Sequence, residues 1–160
     1  MGNHDMLPVS EGHDGRSHPE YTLQEATCGI LLATIECDGN VAFDEVAWFD
    51  LVTDIHPIFR NEPRAHINQM IDEMRERLNN EGWRSLIDQC GRCAPEDARL
   101  AVFALTVDCI FSDGVVASEE WDMVHHLQQA LSIQELEVRS VIEVLALKNG
   151  CQAWQTPTVK

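Results

Sequence analysis

Over residues 21–37, apolar and small residues return every three or four positions, at Leu23, Ala26, Thr27, Ile30, Leu31, Thr34 and Ile35. That is the spacing of one helix face, and Gly39 supplies the stop. A second helix is predicted over about 44–55, with Val46, Trp48, Phe49, Val52 and Ile55 on or near its apolar face. It ends where the residue before Pro57 is steered out of helical geometry. Pro63 suits a first helical turn, and Ile67, Met70, Ile71, Met74 and Leu78 mark the stripe of a third helix. A short fourth helix is predicted over about 83–90.

From Pro95 the pattern changes. Leu100, Ala101, Phe103, Ala104, Leu105, Val107 and Ile110 are apolar nearly all round a helix, which predicts a central position. Ser118, followed by Glu119 and Glu120, reads as an N-cap with acidic residues in a first turn, and opens a helix through about residue 131. Ser132 is placed to cap the last helix, which carries Leu136, Val138, Val141, Ile142, Val144, Leu145 and Leu147 and stops at Asn149-Gly150. No run alternates as strands do, so the pattern predicts an all-α fold.

Two segments of this helical chain nearly repeat each other. Asp38-Gly39-Asn40-Val41-Ala42-Phe43-Asp44-Glu45 and Asp113-Gly114-Val115-Val116-Ala117-Ser118-Glu119-Glu120 align without a gap at an offset of 113 − 38 = 75. Each follows a long apolar helix, so the simplest source is an internal duplication of a helix–loop–helix unit.

Composition narrows the partners. With 11 basic and 27 acidic residues the formal charge is −16, which disfavours nucleic acid and anionic membrane surfaces and favours cations or basic partner surfaces. At 160 residues one domain with its own core is expected. Residues 1–19 have no apolar periodicity and read as a flexible arm, 20–150 as the helical domain and 151–160 as a tail. No segment approaches the ~20 apolar residues of a membrane span, and the start of the chain lacks the pattern of a secretion signal, so direct membrane insertion is not expected and a cytoplasmic setting is. In that setting the six cysteines are expected as thiols, with Cys28, Cys37 and Cys109 as packing residues inside apolar runs.

The repeated loop carries the chemistry. Asp38 with Asp44 and Glu45, and Asp113 with Glu119 and Glu120, gather carboxylates of the kind that hold calcium or magnesium in preference to zinc. The loop is not an EF-hand, because glycine directly follows the first aspartate and the alternating ligands are missing. The same residues have a purely structural reading. An aspartate accepts hydrogen bonds from backbone N–H groups just beyond it and holds a tight turn, and acids in a first helical turn complement the helix dipole. Asp108 interrupts the most apolar helix and must be paired, hydrogen-bonded or part of a site; Glu36 falls close to the first loop.

At these residues the chain resembles the TerB family of tellurite-resistance proteins and related TerB-like domains, over about residues 21–147. The resemblance rests on an apolar helix ending in Asp-Gly, a small or apolar residue, an acidic pair and an amphipathic helix, found at 30–52 and again at 105–127. It implies a multihelical fold with two central helices related by pseudo-twofold symmetry and no catalytic activity. It further implies a link to tellurite and other stress resistance, divalent-cation binding through acidic residues, and assembly with membrane proteins of the TerC type or calcium-binding proteins of the TerD type. The family's loop residues fall on Asp38, Gly39, Asp113 and Gly114, and its helix-start acids on Asp44, Glu45, Glu119 and Glu120. The chain departs from the pattern at Phe43, where the second repeat has Ser118, and at the bulky Trp48 and Trp121.

Rival chemistries find less support. Cys90-Gly91-Arg92-Cys93 has the spacing of half a zinc site or a redox pair, without the other half. An all-helical metal-dependent phosphohydrolase needs His-Asp pairs on ordered helices; here they occur as His4-Asp5 and His13-Asp14 in the arm. His125 and His126 are adjacent and point about 100° apart on a helix, and His56 and His66 flank a bend expected to be solvated. The remaining alternative is a metal-independent acidic docking module. Oligomeric state is not legible from these patterns.

Overall fold

In the computed structural model the described residues are 21–37 and 43–151, with residues 43–45 described for their backbone alone. The arm, the loop with Asp38 and Gly39, and the tail beyond Cys151 lie outside them. Among the described residues there are seven helices and no strand: α1 Leu23–Ile35, α2 Phe43–Ile55, α3 Arg64–Glu81, α4 Trp83–Cys93, α5 Glu96–Ile110, α6 Ser118–Leu131 and α7 Glu135–Asn149. The all-α expectation holds. Helices α1 and α5 end 110 − 35 = 75 residues apart and α2 and α6 begin 118 − 43 = 75 apart, whereas α1 and α5 begin 96 − 23 = 73 apart and α2 and α6 end 131 − 55 = 76 apart. No described helix is long and apolar enough to cross a membrane.

Helix α1 is the axis of the fold. It begins at a reciprocal cap: the Thr22 N–H donates to the Glu25 carboxylate at 2.7 Å and the Glu25 N–H donates to Thr22 Oγ1 at 3.2 Å. From Ala26 to Ile35 every residue is buried, because α3, α4 and α5 pack around it. A helix with an apolar stripe thus turns out to be enclosed on all sides. The two threonines of the stripe lie on one face, and their hydroxyls donate to carbonyls one turn back, Thr27 to Leu23 at 2.7 Å and Thr34 to Ile30 at 2.8 Å; among the described residues no buried side-chain polar atom lacks a partner. Helix α5, apolar nearly all round, is by contrast buried through Val102, Phe103, Thr106, Val107, Cys109 and Ile110 while Leu100 and Ala101 face out.

Around this pair, α4 lies on α6, and α7 and α6 lie on α5. The α3 stripe is as expected, with Ile67, Met70, Met74 and Leu78 buried and Ile71 half-buried. Helix α2 differs. It packs on α5 and α1 over small areas and is tied to α3 through Arg64, so Phe49 and Val52 are buried and Trp48 half-buried, but Val46 and Ile55 are 43% and 61% exposed. These narrow contacts leave part of the apolar face uncovered.

Several helix ends fall one or two residues from their expected places. Pro63 and Pro95 are the N-caps of α3 and α5, with extended ψ of 141° and 142°, and the first helical turns start after them. Ser118 is the first residue of α6, not its cap. Ala117 is the cap, and its N–H is satisfied by the Glu120 carboxylate at 2.6 Å. Ser132 does not cap α7. It ends α6 in the left-handed region at φ 55°, the following Ile133 N–H returns to the Gln128 carbonyl at 3.1 Å, and Ile133 packs on the core. Gln134 then caps α7, its N–H donating to Glu137 at 3.3 Å. The Gly150 stop is where the pattern put it, at φ 67°.

Candidate functional site

The second acidic loop, 111–120, is fully described, and its carboxylates are occupied locally. Asp113 Oδ1 accepts the Val115 N–H at 2.9 Å, closing the turn that Gly114 permits with a φ of +79° that a side chain would strain. Glu120 reaches back to the Ala117 N–H, and the Ser118 hydroxyl donates to Glu119 at 2.9 Å. The exposed Glu119 carboxyl is held below its ordinary range by its own backbone N–H and then by Ser118. Asp113, Glu119 and Glu120 therefore act as turn and helix-start groups. Among the described residues no three His, Cys, Asp or Glu side chains converge to hold a metal. In the first loop, Asp38 and the side chains of Asp44 and Glu45 lie outside the described residues.

Replacing Asp113 separates the turn role from a cation role. Asp113→Ala is expected to lower stability by about 1 kcal/mol through the lost backbone hydrogen bond. Asp113→Asn keeps an oxygen that accepts the same bond and is expected to melt with the native chain, in chelator and in calcium or magnesium alike. Thermal unfolding of the three proteins measures this, and a deficit of the Asn variant that appears only with metal would contradict it.

Next to this loop stands Cys151, for which the sequence carried no clear signal beyond its place after the Asn-Gly stop. Its N–H returns to the Ala146 carbonyl at 3.0 Å and its Sγ approaches the Phe111 carbonyl at 3.7 Å. Its thiol is pushed up by burial first, then by the charges of Asp113 and Glu120.

The other candidate groups are tied into the fold. Asp108 receives Lys148 Nζ at 2.6 and 2.7 Å and Asn149 Nδ2 at 2.8 Å, joining α5 to the end of α7. Cys90 is buried and Cys93 half-buried on α4, and all six cysteines are free thiols; burial pushes the Cys28 thiol up to about 12, which keeps it protonated and unreactive. His125 Nδ1 meets the Trp121 carbonyl at 2.8 Å, while His126 Nε2 meets Asp88 at 2.9 Å and stands edge-on to Trp83 at 5.4 Å. The two rings serve different neighbours. His66 is exposed beside Glu62, but His56 is half-buried and accepts the Ile58 N–H at 3.3 Å. Burial, then Arg60, lower its pKa.

What the sequence pattern missed is a groove of about 200 Å³ between α1, α2 and α3. Leu32, Ile35 and Phe49, all buried, form its apolar floor with half-buried Ile71, and Val46 stands at its edge. Charged residues bridge its sides. Arg75 pairs with Glu36 at 3.5 Å, and Arg64 pairs with Asp50 at 3.5 Å and Asp54 at 2.7 Å. Glu36 thus serves α3 and the groove. The available signal was the surplus of apolar residues on α2, more than one helix contact can bury.

Comparison of the chain with protein-family models, with curated proteins and with solved structures gave no match.

Proposed function

We propose that this chain is a non-catalytic docking module of the TerB-like, stress-resistance kind, and that its partner is a protein segment with an apolar anchor flanked by lysine or arginine. The groove between α1, α2 and α3 carries this reading. Its apolar floor offers burial for an anchor side chain, and Glu36 and Asp50 line its sides, ion-paired with Arg75 and Arg64. The formal charge of −16 steers basic segments toward such a surface. The resemblance points to partners of the TerC or TerD type. No catalytic step forms part of this reading.

A lysine-rich amphipathic helical peptide, titrated by calorimetry in chelator, tests it. Saturable binding is expected, weakened about tenfold or more by Val46→Lys, which places a like charge at the groove edge and corresponds to roughly 1.4 kcal/mol. Glu119→Lys, away from the groove, should change affinity far less. No binding, or binding indifferent to Val46→Lys, would overturn the reading.

A divalent-cation role for Asp38, Asp44, Glu45, Asp113, Glu119 and Glu120 is the second reading, and it rests on the acidic loop repeated in the sequence. The Asp113→Asn comparison with and without metal decides between the two.

A further inference from the structure

Helix α7 buries Val138, Ile142 and Ala146 against the body of the fold, yet three large apolar residues stand on its solvent side. Leu136, Val144 and Leu147 are 78%, 64% and 84% exposed. At 100° per residue, Leu136, Ser140, Glu143 and Leu147 fall within roughly 60° of arc, with Arg139 and Val144 on its two flanks. Isolated exposed leucines are ordinary; here two leucines at the ends of one stripe bracket Ser140 and Glu143 along the helix, a mixed apolar and charged surface on a single helix.

From this face we infer that the chain forms a two-fold symmetric dimer through antiparallel α7 helices. The occupant follows from self-complementarity. A two-fold contact must match a patch to itself, and a single axis level with residues 141–142 does so here. It sets Leu136 against Leu147 of the second copy, twice, and Arg139 against Glu143 of the second copy, twice. The apolar pair and the charge pair are centred within half a residue of one point. Arg139 and Glu143, one turn apart on the same helix, have no ion-pair partner among the described residues. A depression of about 180 Å³ walled by Glu135, Leu136 and Arg139 lies where Leu147 of the second copy arrives, so the surface offers a hole as well as a knob. One helix pair is a small interface, at the low end of specific contacts, and a dissociation constant in the micromolar range is expected.

Sedimentation velocity of the full chain over a concentration series tests this. A monomer–dimer equilibrium is expected, with Leu147→Asp monomeric throughout while its melting curve at low concentration matches the native chain. Charge exchange makes the test specific. Arg139→Glu and Glu143→Arg should each weaken self-association about tenfold or more, and an equimolar mixture of the two should dimerise again, since each then meets its opposite across the axis. A native chain that stays monomeric, a dimer indifferent to Leu147→Asp, or a mixture that fails to recover would overturn the inference. So would a chain that dimerises only after residues 152–160 are removed, which would give the face to the chain's own tail.

Discussion

Gly91→Ala should melt below the native chain by roughly 4–8 °C, the shift that about 2 kcal/mol produces in a domain of this size. The reason is the crossing of α4 and α6. A Cβ on Gly91 would lie 2.7 Å from the Ala130 carbonyl oxygen and 2.9 Å from its carbon, so the obstacle is the backbone of the neighbouring helix and no rotamer change removes it. Alanine favours a helix over glycine by about 1 kcal/mol, which offsets part of the strain, and an unchanged or raised melting temperature would show that the helices separate freely. Gly29→Ala is the informative contrast. There the new Cβ meets Cys90 Sγ at 2.7 Å and Met74 Sδ at 3.0 Å, both side-chain atoms. Adding Cys90→Ala should recover most of the Gly29→Ala loss and none of the Gly91→Ala loss, because only the first clash involves that sulfur.

The largest loss is expected from Phe103→Ala. Phe103 is fully buried on α5, and emptying such a site removes about 3–5 kcal/mol from a total that for domains of this kind is about 5–15 kcal/mol. Urea unfolding should show a midpoint lowered by a large fraction of its native value, or loss of the cooperative transition. Phe103→Leu, which retains most of the volume, should lose less than half as much. Near-equal stability of the alanine variant would mean that the surrounding helices close over the space.

Element type was legible because it depends on local spacing, and most of the helices follow from three-and-four periodicity and from punctuation by proline and glycine. Which helix lies at the centre was harder. Leu23, Ala26, Thr27, Ile30, Leu31, Thr34 and Ile35 look like one stripe of α1, and only packing by three other helices turns Cys28, Gly29, Leu32 and Ala33 on the remaining faces into core. Caps were misplaced where a competing partner sat three residues on, as Glu120 does for Ala117 and Glu137 for Gln134. The apolar surroundings of Asp108 show in the sequence that it needs a partner, but Lys148 and Asn149, about forty residues away, follow only from the fold. The turn role of Asp113 was available in advance because it involves the next two residues alone. The groove on α2 was not, since it depends on how narrowly that helix meets α1 and α5.

The enclosure of α1 also bears on how the chain is made. Its walls are supplied by α3, α4 and α5, the last of which ends at Ile110, 110 − 35 = 75 residues after α1 ends. At about 5–20 residues per second of synthesis, an almost wholly apolar helix waits roughly 4–15 seconds for its last wall to be translated. During that interval the ribosome-bound chain presents to the cell the surface that the finished protein hides most completely.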